Sequence, residues 1–404
     1  METGYFDWAA TAVADPALSM NVLFGNAPFG NPSSKHAAGR AAKAAYEEAR
    51  SRCAGVLGAG TGTEPEIEPR HVYFTGSGTE ANAIVLHSFL RRKLESGGTG
   101  AVLYSAVEHP SIRENCLLLQ HYGMDVREIA VEGDGRVSAA ALEKAFAAGK
   151  APAFVTVMAV NNETGSVNDI GGLVSWIRGH SERPVHVHVD CVQALGKMPL
   201  PLKAWDIDSA SFSAHKICGP RGIGILYLRK PLIPPWLGGG QERGLRPGTE
   251  NIAGALSFAA ALEKYAAPGP CEKHRMAAAE RMARLVAGLN ALGRGRFHII
   301  PACRPVSLVG GADTGGPDFS PYILQASFDG IPGEVFARAL DEKGFCISTG
   351  SACSSAKTER PVLFAIGVNE KQRLEGVRFS QGYATTNAAI DALLGAVGEV
   401  LKIL

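Results

Sequence analysis

Short apolar runs alternate along this chain with longer stretches whose apolar positions recur every three or four residues. The first period belongs to strands buried on both faces and the second to amphipathic helices. Residues 71–75 (HVYFT) read as a strand that meets the turn GSG at 76–78 and a helix from Thr79 to Leu94. AVLYS (101–105) precedes helical spacing over 110–122, and MDVREIAV (124–131) precedes 138–148. AFVTVMAV (153–160) precedes 169–180, and VHVHVD (185–190) follows. Strands alternating with helices predict parallel crossovers in an α/β sheet covered on both faces. After Asp208, SASFS and GIGILYL are two more strand-like runs, separated by AHKICGPR. Alanine-rich helical stretches at 252–267 and 272–293 are split by the breaker PGP at 268–270, the expected domain boundary. Beyond it, YILQASF (322–328), a helix near 333–343, FCIST (345–349), VRFSQG (377–382) and a final helix predict a smaller α+β unit. The first residues fold back onto it in this scheme. Residues 19–267 then form a large domain, and 1–18 with 268–404 a small one.

Composition narrows the class. At 404 residues the chain is too long for one ordinary core. It is 46% hydrophobic and 20% charged, which excludes general disorder. Forty basic residues against 39 acidic leave a formal charge of +1, and no block of like charge marks a tail, so direct binding to duplex nucleic acid is not expected. No apolar run approaches the roughly 20 residues of a membrane span. The start, METGYFDWAATAVADP, lacks the basic-then-apolar layout of a secretory signal. A cytoplasmic location is expected. The eight cysteines, Cys53, Cys116, Cys191, Cys218, Cys271, Cys303, Cys346 and Cys353, form no C-x-x-C pair. Such a spread suits a reducing compartment in which most are small buried hydrophobes and one or two carry chemistry.

Three segments carry candidate chemistry. FTGSGTEAN (74–82) places a glycine turn between a strand and a helix start. Backbone N–H groups there and the positive end of the helix dipole make a phosphate seat, with Thr79 adding a hydroxyl. An ordinary capped turn accounts for the same residues, and the spacing matches neither a Walker loop nor G-x-G-x-x-G. VHVHVDCVQ puts His186, His188 and Asp190 on one strand face, so a metal site competes with a carboxylate offered to a cofactor at the sheet edge, and with two satisfied structural histidines. In SFSAHKICGPRGIG (211–224), Lys216 lies in a glycine-rich turn between two apolar strands. A lysine there is expensive to desolvate unless paired or covalently engaged. Lys216, Asp190 and the phosphate seat together provide partners for the aldehyde, ring nitrogen and phosphate of pyridoxal phosphate.

The chain resembles the NifS/IscS-type cysteine desulfurases, of the class V aminotransferase group and fold type I. The resemblance rests on ten blocks in order: YFDWAAT (5–11), FGNPSSKH (29–36), FTGSGTEAN, VEHPSI (107–112), VNNETG (160–165), HVDCVQALGK (188–197), SFSAHKICGPRGIG, GGGQERGLRPGTEN (238–251), STGSACSS (348–355) and VRFS (377–380). It implies a large α/β domain with a mostly parallel seven-stranded sheet, a smaller α+β domain and pyridoxal 5′-phosphate as cofactor. Lys216 matches the lysine that binds the cofactor aldehyde and shuttles the Cα proton. Asp190 matches the carboxylate on the pyridine nitrogen, and His109 the imidazole on the ring face. Asn162 and Gln193 match polar groups around the ring, with Asn162 also beside the substrate. Gly78, Thr79, Ser213 and His215 match the phosphate cradle. Thr249 matches a threonine that reaches the partner subunit's phosphate, which implies a homodimer. Arg378 matches the arginine on the substrate's carboxylate, a task for a planar bidentate donor. The resemblance requires no metal ion.

STGSACSS supplies the thiol that such a reaction needs. Cys353, among Ser, Gly and Ala, matches the cysteine that takes sulfur from L-cysteine, leaving L-alanine and a persulfide for an acceptor or scaffold protein in iron–sulfur cluster assembly or tRNA thiolation. This chain reads STGSAC where the first group of the family has S-S-G-S-A-C, and TGSGTEAN where T-S-G-A-T-E-S-N is common. Cys191 and Cys218 stand where small or aromatic residues are usual. The sequence stops at Leu404 without the longer tail that some members use to dock a scaffold, which leaves the acceptor open. The rival expectations are a selenocysteine lyase or an aminotransferase on the same fold, or a sulfur-binding protein without turnover.

Overall fold

The computed structural model describes residues 4–21, 28–59, 67–97, 100–305, 319–350 and 360–404. Cys353 lies outside the described residues. Seven strands form the large sheet: β1 (Val72–Thr75), β2 (Ala101–Ser105), β3 (Val126–Ile129), β4 (Pro152–Thr156), β5 (His186–Asp190), β6 (Ser209–Ser213) and β7 (Gly224–Leu228). Their spatial order is β1-β7-β6-β5-β4-β2-β3. The pairs β2–β3, β2–β4, β4–β5 and β5–β6 are parallel, as the strand–helix alternation predicts. Strand β7 runs antiparallel to both β6 and β1. The connection 214–223 between β6 and β7 is too short for the helical crossover a parallel pair needs. That short turn carries Lys216.

Three further strands, β8 (Phe297–Ile300), β9 (Ile323–Phe328) and β10 (Gly376–Ser380), make an antiparallel sheet in the order β10-β9-β8. Strand β8 had no sequence expectation. The run FCIST at 345–349 makes only isolated bridges, Cys346 with Tyr5 and Ser348 with Arg378, because its backbone hydrogen bonds are divided between two neighbours. The PGP breaker opens a helix rather than a gap. The chain extends at Ala267, and Pro268 occupies the first turn of the helix Pro268–Gly293, where its missing N–H costs nothing.

Separate apolar cores fill the two sheets. Val189, Ala210, Phe212 and Ile225 belong to the core around the large sheet. Leu324, Phe328 and Phe379 pack with Leu285 and Leu393 around the small one. Phe6 is buried in that second core, while Ala12 N–H donates to the carbonyl of His215, so the amino-terminal segment links the small sheet to the Lys216 turn. No helix among the described residues is long and apolar enough to cross a membrane.

Candidate active site

The carboxyl ends of the strands in the large sheet converge on one cavity of about 240 Å3. Asp190 is the last residue of β5 and Ser213 the last of β6. Open α/β sheets offer ligands this edge. The helix Gly78–Ser96 begins there because Ser77 caps it, accepting the Glu80 N–H at 3.1 Å. A Cβ on Gly78 would lie 2.6 Å from Val192 Cγ2, so the close approach of this turn to β5 requires glycine. A second helix, Pro110–His121, is capped by His109, whose Nδ1 accepts the Ser111 N–H at 3.1 Å. Gly78, Thr79, His109, Asn162, Asp190, Gln193, Ser213, His215, Lys216 and Arg378 all line the cavity. Thr249 is exposed and is not among the lining residues of this chain's cavity.

Lys216 Nζ donates to the carbonyl of Ala9 and, at 2.8 Å, to that of Ala10. Asp190 is buried; its Oδ1 accepts the Val192 N–H at 2.9 Å and its Oδ2 the Asn82 amide at 2.9 Å. Burial holds His109 below the usual imidazole range, with Lys216 acting in the same direction and Asp190 against it. Burial, then Lys216 and Arg221, lowers His215 to about 4. Arg378 is 1% exposed, which makes its charge costly unless it is engaged. Its Nη1 donates to the carbonyl of Asn162 at 2.9 Å and its Nη2 to Asp7 Oδ1 at 2.7 Å, while Nε is buried without a partner among the described residues. Lys197 donates to Gln193 Oε1 at 2.8 Å, so the Gln193 amide turns its Nε2 to the carbonyl of Ala9. Burial and then the Lys216 charge lower Lys197 to about 7.

This donor set fits pyridoxal phosphate. An aldehyde meets the Lys216 amine and a ring nitrogen meets the Asp190 carboxylate. A phosphate meets the first N–H groups of the helix with the Thr79 and Ser213 hydroxyls. Glu80, the acid of that turn, is drawn off to the Gly76 N–H and to Arg246 Nε at 3.0 Å. The Glu80 carboxylate is therefore turned away from an anion at the seat.

A model of the aminotransferase class-V family matches residues 4–393. The chain belongs to that family. It is 34% identical over 402 residues to the cysteine desulfurase IscS of Salmonella arizonae, across 97% of this chain and 91% of the relative. A solved NifS-like protein superposes with a TM-score of 0.85 at 31% identity, covering 99% of both chains. A NifS-like protein from Rickettsia africae gives 0.78 at 25% identity, over 98% of this chain and 99% of that one. The fold is thus that of the fold-type I enzymes which the sequence resembles.

In this chain the histidines beside Asp190 are occupied by protein partners. His186 Nε2 and His188 Nδ1 lie 2.7 and 2.8 Å from Ser209 Oγ, and His188 Nε2 is 2.9 Å from Asn82 Oδ1. Sequence reasoning missed five contributors. Asn82 and Ser111 lie within quoted motifs but were not singled out. The carbonyls of Ala9 and Ala10 and the carboxylate of Asp7 come from YFDWAAT, the one signal that this distant segment belongs to the site.

Glu108, next to His109, is buried and accepts the Met158 N–H at 2.6 Å. Burial and then the Asp190 charge raise its carboxyl from 4.5 to about 8. Between those values the fold keeps a proton that the unfolded chain releases, so this group's contribution to stability falls as pH rises from about 4.5 to about 8. Glu108→Gln keeps the acceptor for Met158 and removes the titration. Urea midpoints are expected to favour the variant most near pH 8 and least near pH 4. A difference that stays flat with pH would show that the native carboxyl is already ionised at neutral pH.

Proposed function

We propose that this member of the class-V family is a pyridoxal-phosphate-dependent cysteine desulfurase that converts L-cysteine to L-alanine and keeps the sulfur as a persulfide on Cys353. The observation that carries this reading is one cavity holding the Lys216 amine, the Asp190 carboxylate and the buried Arg378 guanidinium. Lys216 binds the cofactor aldehyde and Asp190 its ring nitrogen. Gly78, Thr79, Ser213 and His215 receive the phosphate, while His109, Asn162 and Gln193 border the ring. When bound, pyridoxal phosphate supplies an electron sink that acidifies the substrate's Cα–H bond.

The chain's own groups do the rest. Arg378 binds the substrate carboxylate, and Asp7 with the Asn162 carbonyl keeps its guanidinium from turning. Lys216 moves the proton at Cα, an amine suited to that work once it is neutral. The thiolate of Cys353 bonds to the substrate Sγ as the Cβ–Sγ bond breaks; the displaced pair stays on carbon and is protonated, which completes alanine. Every described cysteine has its thiol pushed up by burial: Cys53, Cys116, Cys191, Cys218, Cys271, Cys303 and Cys346. None is set up as a thiolate nucleophile, which supports Cys353 in the role.

Residues 19–267 serve as the cofactor-binding domain, and 1–18 with 268–404 as the domain carrying the Cys353 segment. The working assembly is a homodimer in which Thr249, exposed in one chain, reaches the phosphate of its partner. The protein works in the cytoplasm, where a persulfide passes to an acceptor or scaffold protein for iron–sulfur clusters or tRNA thiolation. Anaerobic incubation with L-cysteine is expected to give alanine and sulfide in equal amounts with a thiol reductant, and a stalled burst of alanine without one. Amino transfer to a 2-oxo acid without sulfide would reject this reading in favour of an aminotransferase.

A further inference from the structure

Asn82, 1% exposed, stands behind both Asp190 and His109. Its Nδ2 is 2.9 Å from Asp190 Oδ2 and 2.8 Å from Ser111 Oγ, and its Oδ1 is 2.9 Å from His188 Nε2. Only one orientation of the amide works. Turned over, Oδ1 would face the Asp190 carboxylate, acceptor against acceptor. With Nδ2 toward Asp190, Asn82 Oδ1 must accept, so the His188 proton sits on Nε2. Burial holds His188 far below the usual range, at about 3, so the ring is neutral and its Nδ1 is an acceptor. Ser209, paired with His188 across β5 and β6, therefore donates to Nδ1 and accepts from His186 Nε2–H.

The second branch is fixed by the same logic. Ser111 Oγ accepts from Asn82, so its own O–H donates to His109 Nδ1 at 2.8 Å. That nitrogen already accepts the Ser111 N–H. The His109 proton is thereby confined to Nε2. Every donor from His186 onward points toward Asp190 or His109, and the hydrogen bonds run in one direction through the sheet.

We propose that Asn82 and His188 are positioning residues, a one-way hydrogen-bond relay that fixes the Asp190 carboxylate and holds His109 as its Nε2–H tautomer. The activity arm of the test rests on the desulfurase reading; the tautomer arm does not. In 15N-histidine-labelled holoenzyme, with the His109 signals identified by their loss in His109→Asn, both His109 and His188 are expected as pure Nε2–H tautomers. His188→Leu removes the donor that anchors Asn82 at similar bulk. It is expected to mix the His109 tautomers and to lower kcat about tenfold, with KM changed less than about twofold. His188→Gln restores an N–H for Asn82 Oδ1 and is expected to recover the single tautomer and kcat to within about threefold. A His109 proton on Nδ1 in the wild type, a His188→Leu variant that keeps tautomer and kcat, or a His188→Gln variant no better than His188→Leu would each overturn the relay. Nε2–H tautomers in an enzyme that makes no alanine from L-cysteine would leave the relay standing and reject the desulfurase reading.

Discussion

Lys216→Ala is expected to lower alanine formation from L-cysteine by at least about a thousandfold, since it removes both a covalent anchor and a general base. The turn 214–223 holds this lysine between β6 and β7, with Nζ against the Ala9 and Ala10 carbonyls at the floor of the cavity. A second amine, this one buried, lies close by. Lys197 is only 6% exposed, and burial lowers it to about 7, but its Nζ is engaged by Gln193. Borohydride treatment of the cofactor-loaded wild type, followed by peptide mapping, distinguishes the two. The reduced adduct is expected on the peptide containing Lys216. An adduct on Lys197, or turnover near the wild-type rate in Lys216→Ala, would contradict the assignment.

Cys353→Ser is expected to have an equally large effect with a different signature. The substitution changes one atom, so cofactor content and the visible spectrum of the loaded enzyme should match the wild type. Sulfide release under reductant should fall at least about a thousandfold, because a serine hydroxyl is not ionised at neutral pH and does not attack sulfur. The other cysteines offer no substitute. Cys218 is raised to about 12 by burial, Cys191 is buried and raised as well, and Cys346 Sγ lies 3.8 Å from Asp341 Oδ1, beside a negative charge. Loss of cofactor along with activity in Cys353→Ser would instead assign this cysteine a structural role. Sulfide release at the wild-type rate would remove it from the reaction.

Much of this site is legible in the sequence because its chemistry is local. The strand–turn–helix pattern around Gly78, the carboxylate ending β5 and the lysine in a turn between two apolar runs are each visible within about ten residues. The large sheet is legible for the same reason, since short apolar runs alternating with stretches of 3.6-residue period imply crossovers. What the sequence hides is long in range. Asp7 and Arg378 stand 371 positions apart, and His188 and Asn82 are separated by 106; no periodicity announces either pair. The shared face of His186, His188 and Asp190 is real. Its partners, however, are Ser209 and Asn82 from a neighbouring strand and a helix, which local spacing could not supply. Strand β8 escaped for a simpler reason: its four residues, FHII, follow a helix with too little pattern to mark a new element.

A single turnover with sulfur-labelled L-cysteine, without reductant, tests the central claim most directly. The protein is quenched, digested and mapped by mass spectrometry while free alanine is counted. The expected result is one alanine per active site and one labelled sulfur atom on the peptide containing Cys353. Alanine absent, or the label on the peptide of Cys346, Cys191 or Cys218, would contradict it.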